Sequence, residues 1–108
     1  MIGPRARDAI EGASELRFSV VSFAEIGVKT AIGKLVVPGD LDEHIVRSGL
    51  RILGLAPEHG LGVAGLPMHH RDPFDRLLVA QARSEGLTVL TTDARIARYD
   101  VPVIDARA

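Results

Sequence analysis

The chain has 108 residues, 46% hydrophobic and 25% charged, the composition of one ordinary globular domain with a modest core. Thirteen basic and fourteen acidic residues leave a net charge of −1, which excludes a chain-wide basic footprint for nucleic acid but not a local one. The absence of cysteine excludes disulfides and thiolate metal sites, and no apolar run reaches a membrane span of roughly 18–20 residues or forms a signal-peptide core, so a cytoplasmic protein is expected.

With three Phe, one Tyr and no Trp, aliphatic side chains must fill the core. PRARDAIEGA predicts a short helix, Pro4 suiting its first turn and Gly12 its end. LRFSVVS reads as a buried strand. SFAEIGVKTAIGKL, from Ser22, follows as a helix with Ile26, Ala31, Ile32 and Leu35 at roughly helical spacing. After the turn VPGD come a helix in LDEHIVRSGL, a short strand in RILGL and a glycine-weakened helix in PEHGLGVAGLP. DPFDRLLVAQARSEG is the clearest helix, followed by strand LTVLTTD, short helix DARIARY and strand VPVID. Alternating strands and helices with continuously apolar strands imply an α/β fold, a parallel sheet covered on both faces.

Acids recur where helices begin. Asp72 precedes Pro73 and suits an N-cap, and Asp75 at the third helical position suits the helix dipole. Ser22 and Glu25 have the spacing of a capping box, and Asp93, closing LTVLTT, also suits a cap. A second reading stays open beside capping. In a parallel sheet the carboxyl ends of the strands share one rim, where ligands bind. Glu25, Asp75 and Asp93 all fall near strand-to-helix or loop-to-helix junctions. Carboxylates converging there need a counter-cation, and an oxygen-only donor set suits Mg²⁺ or Mn²⁺, which supports phosphodiester hydrolysis.

The stretches SVVSFAEIGVKTAIGKL and LPMHHRDPFDRLLVAQARSEGLTVLTTDARIARYDVPVI together resemble the PIN-domain ribonucleases, specifically the VapC-type toxins of bacterial type II toxin–antitoxin systems. The resemblance runs from about Pro4 to Asp105. It implies one domain over residues 1–108 with a three-layer PIN-like fold, a parallel sheet flanked by helices. It also implies catalytic, Mg²⁺-holding roles for Glu25, Asp75 and Asp93, supporting roles for Thr91 and Thr92, an RNA substrate, a VapB-type antitoxin and a homodimer. Asp72 matches none of the family acids and keeps its capping role.

The family pattern opens with a central strand ending in aspartate, and no residues here match it. Asp8 lies inside the first helix and reads as a solvated surface acid. The fold is thus expected to be N-terminally truncated, lacking its first central strand and one of four carboxylates. Either the true start lies upstream, or the product is an impaired remnant that acts only as an antitoxin-binding module. His69 and His70 read as a loop contact or a substrate hydrogen bond rather than metal ligands. Arg71 and Arg76 are expected to meet RNA phosphate, with Arg83, Lys29 and Lys34 as further basic candidates.

Overall fold

The computed structural model describes residues 2–69 and 71–108. Along the chain run α1 (Pro4–Gly12), β1 (Arg17–Ser19), α2 (Val20–Ala31), α3 (Leu41–Arg47), β2 (Arg51–Leu53), α4 (Pro57–Gly62), α5 (Pro73–Glu85), β3 (Val89–Thr91) and β4 (Val103–Asp105). Two 3-10 turns lie at Val63–Gly65 and Ile96–Arg98. Helices alternate with strands as an α/β fold requires, and both strand pairings are parallel. The single expected sheet is instead two separate pairs among the described residues, β1 with β2 and β3 with β4. No described strand pairs with both β1 and β3, the place the resemblance gives to a strand ending in aspartate. The chain divides into two compact units, one of Ser14–Leu55 and one combining α1 with Ala56 to Ala108.

In the Ser14–Leu55 unit, β1 and β2 align Arg17 with Arg51, Phe18 with Ile52 and Ser19 with Leu53. Glu15 ties the start of the pair together, accepting from Arg17 Nη2 and from Arg51 Nη1, each at 3.1 Å. Those hydrogen bonds, with the two positive charges, hold its carboxyl below the usual glutamate range. Its contribution is therefore present above the ordinary glutamate pKa and fades as pH falls through the lowered one.

The run VVS, expected to continue the strand, does not. β1 stops after three residues, and Ser19 caps α2, its Oγ accepting the Val21 amide at 3.0 Å. A short β-branched run fits either state, and the cap decides here. Phe18 and Phe23 pack across the junction with ring centroids 4.7 Å apart. Burial in this unit is sparse. Ser19 and Val21 are buried, while Val28, Ile32, Val36, Val46, Ile52 and Leu55 are exposed.

The other unit is built on Leu66, Val79, Ala80, Ile96 and Tyr99, with Val63, Val89, Val101 and Val103 packed against them. α5 ends at Gly86, whose φ of +66° is left-handed and turns the chain so that the Gly86 and Leu87 amides both reach Ala82 O. DARIARY, expected as a short helix, forms only the 3-10 turn Ile96–Arg98, which buries Ile96 and Tyr99. Backbone hydrogen bonds attach α1, from the Gly3 amide to Ala106 O and from the Arg5 amide to Ala108 O, both 2.9 Å. A side chain at Gly3 would collide with the backbone of Arg107 and Ala108. His59, which the sequence did not single out, is buried at the start of α4. Its Nδ1 accepts the Ala56 amide at 2.9 Å, and Nε2 faces Glu85 Oε2 at 3.5 Å.

Candidate active site

The unit that contains α5 carries two of the three matched acids. α5 begins at Pro73 because Asp72 is extended and caps it, Oδ1 accepting the Phe74 amide at 2.9 Å and the Asp75 amide at 3.3 Å. The N-cap expected of Asp72 is therefore present, a feature typically worth about 1 kcal/mol. Asp75 follows in the first turn, half-buried, at the positive end of the helix dipole.

The second acid sits just past β3. The Asp93 amide donates to Thr91 Oγ1 at 3.1 Å, so Thr91 orients the turn that presents Asp93. Asp93 Oδ1 in turn accepts the Arg95 amide at 2.9 Å, a local cap at the entrance to the Ile96–Arg98 turn. The Arg95 side chain then folds back onto the same carboxylate. Nη2 lies 2.8 Å from Oδ2, and Nε lies 3.1 and 3.3 Å from the two oxygens. The Asp93 hydrogen bond and charge push the Arg95 guanidinium further above its ordinary pKa, and Asp75 and Asp72 add to the effect. One cation thus feels all three aspartates. Beside it, Arg107 Nη2 donates to the Thr92 carbonyl at 3.0 Å.

Glu25 lies on α2 in the Ser14–Leu55 unit. Because α2 starts at Val20 under the Ser19 cap, the Ser22–Glu25 spacing forms no capping box, and the capping reading of that acid falls away. Its carboxylate pairs with Lys29 Nζ one turn on, at 2.7 Å. Lys29, an RNA-contact candidate by sequence, has this acid as a partner. Among the described residues, no three or more His, Asp or Glu side chains form a metal cage. Cations of the chain itself balance Glu25 and Asp93.

The two expected RNA-contact arginines part company. Arg76 is only 7% exposed, and its guanidinium donates to Pro67 O at 2.8 Å, Val63 O at 3.1 Å, Leu66 O at 3.4 Å and Tyr99 Oη at 3.3 Å. These bonds anchor the loop before α5 to its helix, so the RNA-contact reading of Arg76 is corrected to a structural one. Arg71 is exposed and lines a hollow with Met68 and Leu77. His69 packs edge-on against Tyr99 with ring centroids 4.9 Å apart, a loop contact as expected, while His70 lies outside the described residues. Sequence reasoning missed Arg95 and Arg107. The signal for Arg95 was its place two residues after the last acid, within reach of a side chain that caps the same turn.

A family model described as the PIN domain matches residues 3–102 of the chain. This chain belongs to the PIN-domain family. Within the family it is similar to "Ribonuclease VapC22" of Mycobacterium tuberculosis (strain ATCC 25618 / H37Rv). The two are 30% identical over 105 residues, covering 90% of this chain and 77% of that protein. The PIN match spans both compact units, and it includes Glu25, Asp75 and Asp93. No helix among the described residues of this PIN protein is long and apolar enough to cross a membrane.

Proposed function

We propose that this PIN-domain protein is an Mg²⁺-dependent endoribonuclease, the toxin of a toxin–antitoxin pair, with its two compact units acting as one domain. The observation that carries the reading is the PIN match and VapC relative over most of the chain, with Asp75 opening α5 and Asp93 following β3 in one compact unit. Carboxylate oxygens suit a hard divalent cation, and the half-buried Asp75 and Asp93 already share the charge of one arginine.

Glu25, Asp75 and Asp93 would hold the ion. When bound, Mg²⁺ or Mn²⁺ would supply Lewis-acid chemistry there, making a water more acidic and offsetting charge on a phosphodiester. The chain's own residues do the rest. Thr91 fixes the turn of Asp93 through the Asp93 amide, Thr92 offers its carbonyl to Arg107, and exposed Arg71 and Arg107 would meet backbone phosphates. A VapB-type antitoxin and a homodimer are the partners proposed by the same kinship.

Incubating the purified chain with RNA, in Mg²⁺, in Mn²⁺ and in EDTA, tests the reading. Cleavage is expected with either ion and none with EDTA. A second reading, an antitoxin-binding module without catalysis, is favoured by the two separate strand pairs, which leave β1 and β3 without a common neighbour among the described residues. A folded chain that captures the antitoxin yet leaves RNA intact under all three conditions would replace the first reading with this one.

A further inference from the structure

The turn that presents Asp93 carries its own counter-cation. Arg95 reaches both oxygens of the carboxylate from two residues away, and its backbone amide holds Oδ1 as well. Any metal ion that approaches through Oδ2 must therefore take that oxygen from Nη2, which lies 2.8 Å away. The arginine is able to yield, because its side chain is 55% exposed. The backbone bond from Arg95 N to Oδ1 survives when the side chain swings out, so the turn keeps its shape while the cation changes.

Resting on the assignment of Asp93 and Asp75 to the metal, we infer that Arg95 is a tethered competitor for the divalent ion. It neutralises Asp93 before the ion arrives, sets the ion's affinity, and on displacement becomes a phosphate contact beside Arg107. A guanidinium is suited to both tasks, since its planar fork matches a carboxylate and a phosphate alike. Arg95 is a positioning residue here, acting on the metal through Asp93.

The test is Mn²⁺ binding without RNA, read by the electron paramagnetic resonance of free Mn²⁺, in the wild-type chain, Arg95→Gln and Arg95→Lys. The glutamine variant should bind Mn²⁺ about fivefold more tightly, the scale of one exposed ion pair, with lysine between. Its KM for RNA should rise while kcat holds, since the phosphate contact is lost and the metal is not. Equal Mn²⁺ affinity in wild type and Arg95→Gln would overturn the inference and leave the metal assignment standing. No Mn²⁺ binding by any form, or binding that Asp75→Asn and Asp93→Asn leave unchanged, would overturn the metal assignment and this inference with it.

Discussion

Replacing Arg76 with methionine is expected to destabilise the protein by about 2–4 kcal/mol, although the new side chain has similar length and no charge. The loss comes from the acceptors it leaves behind. Val63, Leu66 and Pro67 present carbonyls to the guanidinium, and Tyr99 its hydroxyl oxygen, in a region where Leu66 and Tyr99 are themselves buried. Each orphaned buried acceptor costs about 1–3 kcal/mol, offset in part by the apolar contact methionine gains. Arg76→Lys should recover only part of the loss, because one ammonium cannot span acceptors that the fork reaches from two nitrogens. Urea unfolding monitored by circular dichroism gives the number. A loss below about 0.5 kcal/mol, the size of an ordinary surface change, would mean the loop holds without Arg76, and the RNA-contact reading would return.

The second large effect is on activity. Glu25→Gln, Asp75→Asn and Asp93→Asn are each expected to lower kcat for RNA cleavage by about a hundredfold or more, since on the proposed assignment each removes a charge that would hold a catalytic cation worth several kcal/mol. Asp72→Asn should change kcat only a few-fold, because asparagine caps a helix about as well as aspartate. Thermal melts provide the second axis. Glu25→Gln and Asp93→Asn give up ion pairs with Lys29 and Arg95, exposed contacts worth about 0–1 kcal/mol, so these variants should melt within a few degrees of the wild type. If Asp72→Asn were the most damaging of the four, the assignment of the site would have to move by one helical turn.

Much of this was legible in the sequence, and the misses have physical causes. The order of helices and strands, the Asp72 cap and the parallel pairing followed from periodicity and junction residues. The start of α2 did not, because Ser19 and Ser22 are both sound caps and the intervening valines favour strand as readily as helix. Arg76 was misread although its neighbours spoke for burial. Val79 and Ala80 lie three and four residues on, on the same helix face, and both are buried. Arg95 was missed although it stands two residues after the last acid, because its role depends on a side chain turning back on its own loop, which spacing alone does not reveal. The three acids that match the family stood out only as a set. Singly, each looked like a cap, and for Glu25 the cap proved to be elsewhere.

The thin interior of the Ser14–Leu55 unit bears on how the molecule comes apart. Only Ser19 and Val21 are buried there, whereas Val79 and Ile96 anchor a proper core in the other unit. Segments with few buried apolar side chains open at lower free energy than the whole fold. Amide protons of α2 and α3 would then exchange with solvent ahead of those in α5, and a protease would find its first cleavable stretch there. Since Glu25 rides on α2, such an opening would carry away one proposed ligand while Asp75 and Asp93 stayed in place, making inactivation an earlier event than unfolding.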